Sequence, residues 1–465
     1  MNGQKFEREL KKLIYYVREY GIQHLNFPLS ELDRVRDDSA IAEKFTTQVH
    51  KGFYFAQERV IDLLQKVINE QKKAKSDIAA ARRNRDKAAE RALQAKRDTA
   101  HYQECILRRV IDTIVWTLCS FELSTIRRLY MEQEPIDITD SNLNSELSFL
   151  ESYKQSHPAG FALISDLSMI VQVGDVITKD ISEGMGIIEL KEGRTNKRVF
   201  EILHEYGENH CDHYLASVLS EEGKKVSEQF FRSVKQMHKE MLAVNIINEG
   251  QGEDPQSGKQ VTVVESTLEL ATFNPVFLDV IKRASKKGIA SQTIQVCLTI
   301  VAFDTTHPTV SNAITSDSPL DRPSKSKKRK EEDTTIQSMD LRQTLISPTT
   351  RPLFLCPLPE NYLVDIAMER IVVQFHLNIP LWIQMFEQHG FTVRMLGRKE
   401  TARIKQQSDH GSQILEVNGQ AVEIQKGAYK SLLCEGLLAR MFTCLNTPLS
   451  MVDYFSEMEK HFSSQ

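Results

Sequence analysis

An α+β fold, with the helices concentrated at the N-terminal end, is what this sequence predicts. Three observations lead there. The first hundred residues carry apolar side chains at helical spacing and then a run of helix formers. Short apolar segments containing Ile and Val, suited to strands, occur at 161–173, 185–191 and 293–303. Asn418-Gly419 sits between two apolar runs, as in a tight hairpin. The chain has 465 residues, which is long for one compact unit, and its 41% hydrophobic and 26% charged composition excludes wholesale disorder. Lys+Arg 59 against Asp+Glu 63 leaves a net charge of −4, so any basic surface must be local. Seven scattered cysteines without a CxxC pair point to free thiols in a reducing compartment. The polar start and the lack of a long apolar run give the expectation of a cytoplasmic protein with no membrane partner.

Taken in order, Phe6, Leu10, Leu13, Ile14 and Val17 form one helical stripe, and Val60, Ile61, Leu64, Val67 and Ile68 form another. Between Gln71 and Thr99, Ala, Lys, Arg, Asp and Gln dominate without Gly or Pro, which predicts a long, straight, solvated helix or coiled-coil arm. It holds ten Lys and Arg against four acids. Such a run is either a solvated face or an arm that tracks phosphates or recruits a second copy or partner. From Ile106 the pattern turns strongly apolar, predicting a new domain over 106–304, a charged flexible linker over 305–350 that includes the basic run Lys325–Lys330, and a helical C-terminal region with a hairpin over 351–465.

One constellation carries chemistry. Gly174-Asp175 ends one apolar segment, and Ile187-Ile188-Glu189-Leu190-Lys191 forms the next. If the two pair, Asp175 and Glu189 meet at the open end of a hairpin, with Lys191 two residues on and sharing a face with Glu189. Two carboxylates held together repel, and a hard divalent cation, Mg²⁺ or Mn²⁺, relieves that repulsion. The lysine then stabilises charge developing on a phosphoryl group. This pattern resembles the PD-(D/E)xK phosphodiesterase superfamily of restriction endonucleases, Holliday-junction resolvases and bacterial defence nucleases, including its uncharacterised bacterial members. Gly174 stands where the proline often precedes the aspartate.

The resemblance covers about 106–206 and implies a restriction-endonuclease-like mixed sheet flanked by helices, completed by a buried strand at 293–303. It implies metal-dependent hydrolysis of nucleic acid, with DNA favoured over RNA, in antiviral defence. Asp175 and Glu189 are then the metal ligands, Lys191 the charge-stabilising group, and Glu122 a further acid from the preceding helix. Arg127, Arg128, Lys197 and Arg198 are the candidates for phosphate contact. His204, His210, Cys211 and His213 cluster without a zinc-type spacing and read as surface residues. The rival reading is a non-catalytic coiled-coil scaffold or sensor subunit that binds nucleic acid or a protein partner.

Overall fold

The computed structural model describes residues 2–139, 142–181, 184–190, 193–255, 258–262, 268–308, 310, 335–407 and 414–463. It is an α+β structure whose described strand pairs are all antiparallel. Two compact units are drawn from interleaved stretches of chain. One comprises Tyr16–Gln65 and Ile114–Val264; the other comprises Met1–Tyr15, Lys66–Thr113 and Glu265–Gln465. The change of pattern at Ile106 falls inside the helix Lys87–Leu118, and the two units divide within that same helix, between Thr113 and Ile114.

The first unit centres on a sheet of three strands, β1 (Phe161–Ile164), β2 (Val176–Asp180) and β3 (Gly184–Ile188), in that spatial order. All four residues of β1 are buried, as are Val176, Ile177 and Thr178 of the central β2. A three-stranded sheet has two edges whose backbone groups need partners. Side-chain amides supply them. On the β1 edge, the fully buried Gln57 donates to the Ala162 carbonyl at 3.1 Å and accepts from the Ile164 N–H at 3.0 Å. The Ala162 N–H donates to the Tyr54 hydroxyl, whose pKa burial pushes up to about 12. On the β3 edge, Asn248 accepts from the Met185 N–H at 3.1 Å and donates to its carbonyl at 3.0 Å. Gln57 lies on the helix Ser39–Arg83 and Asn248 on the helix Lys224–Glu249. The latter packs with the helices Gly193–Asn209 and Asp212–Glu222 around Val199, Ile202, Leu219 and Phe230.

The predicted mixed sheet is therefore corrected. The strand expected at 293–303 belongs to the other unit, as part of a hairpin of Ile289–Ile294 and Leu298–Asp304 that turns through Gln295 and Val296, both at positive φ. That hairpin opens a four-stranded sheet continued by Ile371–Asn378 and Ile336–Asp340. The helix Asn274–Lys287 carries Phe277, Val280, Ile281 and Ala284 as its buried face.

Three further expectations fail in this unit. The straight basic helix is a helical hairpin: Arg85 at φ 57° turns the chain between Ser39–Arg83 and Lys87–Leu118. Arg82 bonds Glu90 at 2.6 Å across the turn, and Gln71 bonds Glu104 at 2.8 Å further down. Asp86 accepts from the Ala89 N–H and so caps the return helix. Nor is 335–350 a loose linker. Arg109, fully buried and paired with Asp112 at 2.7 Å, donates to the carbonyls of Thr344, Pro348 and Thr350 and clamps that segment. Lys325–Lys330 lies outside the described residues. In the C-terminal region, Ile371-Val372-Val373 form a strand rather than a helix, as their β-branching favours. Asn418 and Gly419 both take positive φ in the expected tight turn.

The sealing of the β1 edge yields a prediction. Gln57→Leu preserves bulk but strands one buried N–H and one buried carbonyl, so unfolding free energy should drop by about 2–4 kcal/mol. Denaturant titration followed by far-UV circular dichroism measures it; an unchanged midpoint contradicts the sealing role.

Candidate functional site

Asp175 immediately precedes β2 and Glu189 immediately follows β3, so the antiparallel pairing brings both to one end of the hairpin. The contacts are closer than shared location requires. The Asp175 N–H donates to the Ile188 carbonyl at 2.9 Å, and its carboxylate accepts from the Leu190 N–H at 2.5 Å. Asp175 thus binds the residues on both sides of Glu189. Its own carbonyl accepts from the Ser165 N–H at the end of β1, which ties all three strands at this point. Both acids are half-buried. Lys191 lies outside the described residues.

Gly174 explains why the chain can make this approach. Its φ is +64°, in the left-handed region, and a Cβ there would meet the Ile187 Cγ2 at 2.3 Å and the Ile188 carbonyl oxygen at 3.1 Å. Proline, locked near φ −65°, cannot take this conformation. A glycine at this position is thus a local requirement of this backbone.

The strand that leads into Glu189 is not the buried central strand that its apolar residues suggest. β3 is at an edge of the sheet, and within it only Met185 is buried; Ile187 and Ile188 are half-buried, as is Leu190 beyond it. The core side chains are supplied by β1 and β2, while the helix Lys224–Glu249 covers the β3 edge through Asn248.

The other candidates are scattered. The expected continuous helix over 106–131 breaks after Leu118, where Ser120 and Phe121 take φ of 52° and 63°. Glu122 is the exposed N-cap residue of the short helix Leu123–Leu129, and no contact among the described residues joins it to Asp175 or Glu189. Arg127 and Arg128 are on that helix. The Arg128 guanidinium is engaged by the buried Asp254 at 2.5 Å, a pairing that takes it out of play as an open phosphate contact. Arg198 is likewise held between Glu222 at 2.5 Å and Glu201 at 3.0 Å, whose hydrogen bonds raise its pKa further above its already high value. Lys197 is exposed in the first turns of the helix Gly193–Asn209.

Among the described residues, no group of three or more His, Cys, Asp and Glu is arranged to hold a metal ion. The donors at the hairpin end are two carboxylates. Such a pair fits a hard cation like Mg²⁺, which keeps much of its water shell and takes one or two carboxylates plus substrate oxygens. It does not fit zinc, whose sites draw on nitrogen and sulfur ligands.

Sequence reasoning missed the groups that lock this arrangement. Gln57 and Asn248 are single polar residues within helical stretches, and spacing alone does not reveal that both face a strand edge. No family model, curated protein or solved structure matches this chain.

Gly174→Ala should destabilise the unit by about 1–3 kcal/mol through left-handed strain and overpacking against Ile187. Thermal melting checks it, with Gly186→Ala failing as a neutral control because a Cβ there meets the Thr178 Oγ1 at 2.6 Å; Gly207→Ala, with open space around it, is the correct comparison. Equal melting of Gly174→Ala and Gly207→Ala contradicts the close approach.

Proposed function

We propose that this protein is a divalent-metal-dependent nuclease, hydrolysing phosphodiester bonds at the open end of the β2–β3 hairpin. The observation that carries the reading is the bracketing of Glu189 by Asp175. Asp175 and Glu189, both half-buried, are brought to one end of the hairpin by backbone contacts from Asp175 to the residues on either side of Glu189. Among the described residues no helix is long and apolar enough to cross a membrane.

In this mechanism Asp175 and Glu189 would hold the cation through carboxylate oxygens, while the Leu190 N–H fixes the Asp175 carboxylate. Magnesium or manganese, when bound, supplies Lewis-acid polarisation of a phosphate oxygen and a water acidified for attack. Lys191, two residues beyond Glu189, is the group we assign to stabilising negative charge on the phosphoryl oxygens. DNA is the favoured substrate over RNA, and antiviral defence the favoured setting, on the resemblance alone.

The Leu190 contact also supports a second reading, in which Asp175 serves only as a backbone cap and the protein is a non-catalytic scaffold or sensor. Asp175→Asn separates the two, because the amide keeps an oxygen to accept from Leu190 while losing the charge that a cation needs. Asp175→Asn, Glu189→Gln and Lys191→Met should each cut Mg²⁺-dependent cleavage of plasmid or oligonucleotide DNA by about 100-fold or more, with circular dichroism unchanged. Cleavage that persists in all three, or that resists EDTA, contradicts the assignment.

A further inference from the structure

The cations chosen from the sequence are largely occupied by carboxylates, whereas five others in the same unit are not. Arg194, Lys225, Arg232, Lys235 and Lys239 form no ion pair among the described residues. They line two cavities that share Arg232. The smaller, of about 400 Å³, is bordered by Arg194, Lys225 and Arg232, with Glu228 as its acid. The larger, of about 650 Å³, is bordered by Arg232, Lys235 and Lys239, with the acids Glu132 and Glu240. Of those three acids Glu240 is buried, and Glu228 has Lys224 at 3.7 Å. The unpaired charge facing the solvent is therefore mainly positive.

The placement of these cavities gives the charge a direction. Four of the five cations lie on the helix Lys224–Glu249, with Arg232, Lys235 and Lys239 at i, i+3 and i+7 on one face. From Lys225 to Lys239 the helix extends about 21 Å at 1.5 Å per residue, long enough to span several phosphates of a nucleic-acid strand. The same helix is pinned to β3 by Asn248. The larger cavity includes Val173, two residues before Asp175. The smaller includes Arg194, Thr195 and Asn196, in the first turn of the helix that follows Glu189. The basic track thus borders the chain segments adjoining both acids.

We propose that this groove is the binding track for the phosphodiester backbone of a nucleic-acid strand, with Arg232, Lys235 and Lys239 as its principal phosphate contacts and Arg194 and Lys225 extending it. The proposal rests on the nuclease reading for its substrate class but concerns binding alone, so the two can fail separately. Its contacts are to phosphates, so it accommodates DNA and RNA alike and sets affinity rather than sequence preference.

The test is fluorescence anisotropy with labelled DNA and RNA strands over a range of salt concentrations, in EDTA to prevent cleavage. The full-length chain is compared with Arg232→Gln/Lys235→Gln/Lys239→Gln and with the charge-matched Lys73→Gln/Lys75→Gln/Arg83→Gln, altered at exposed positions of the helical hairpin. All six side chains are exposed, and circular dichroism verifies folding. The groove variant should bind about ten-fold or more weakly at moderate salt, with the slope of log affinity against log salt reduced by about two to three. The hairpin variant should bind as the parent does. A groove variant with unchanged affinity and slope, a hairpin variant that loses affinity instead, or a parent chain that binds neither strand overturns the track. Glu189→Gln should bind as the parent does while losing cleavage. A parent that binds through the groove yet never cleaves with Mg²⁺ leaves the track standing and removes the nuclease reading.

Discussion

The candidate site depends on how a sheet of only three strands closes its edges. Such a sheet exposes a row of backbone donors and acceptors on each side, and no further strand of this unit pairs with it among the described residues. Gln57 and Asn248 act in place of the missing strands, each giving one acceptor and one donor to the backbone. The amides also locate the helices. A carboxamide bonded to both polar groups of one strand residue, or to groups two residues apart, has little freedom to slide. Register along β3 is thereby referred to the helix Lys224–Glu249, and register along β1 to the helix Ser39–Arg83.

At the open end of the hairpin the same economy of partners places charge. The Asp175 carboxylate accepts from the Leu190 N–H, so one side chain terminates the strand pair at the end of the hairpin where Glu189 also lies. Gly174 makes this possible by crossing close to Ile187 in a conformation that side chains resist. Chain segments adjoining both acids border cavities lined by lysines and Arg232 of the helix Lys224–Glu249. In the proposed reading, a polyanionic substrate is attracted by the second feature and needs a cation to approach the first. That pairing of opposite fields in one unit is the electrostatic logic of the account.

Much of this was readable in the residues, but unevenly. The hairpin was legible because Val176-Ile177 and Ile187-Ile188 flank a polar gap of turn length, and the acids at its open end follow from antiparallel pairing. The rank of β3 within the sheet was not, since two isoleucines look alike on a central strand and on an edge that a helix partly covers. The helical hairpin was hidden because Asn84-Arg85-Asp86 interrupts strong helix formers without a glycine or proline; Asp86 acting as a cap was the available signal. The strand Ile371–Asn378 lies in the C-terminal region that the sequence predicts as helical, although its β-branched run favours extension. The phosphate contacts expected from the sequence are close to the acids along the chain, and there Arg128 and Arg198 are neutralised by Asp254 and by Glu222 and Glu201. Arg232, Lys235 and Lys239 are some forty to fifty residues beyond Glu189, brought back by a helix whose docking depends on Asn248. Their spacing at 232, 235 and 239 was visible, but tertiary packing alone relates it to the hairpin.

The central claim is that Asp175 and Glu189 jointly hold a hard divalent cation. Anomalous diffraction from crystals of the protein soaked in Mn²⁺ tests it most directly. The account predicts an anomalous peak at the hairpin end, about 2.0–2.6 Å from oxygens of both carboxylates. Saturating Mn²⁺ with no peak there, or a peak touching neither side chain, contradicts it.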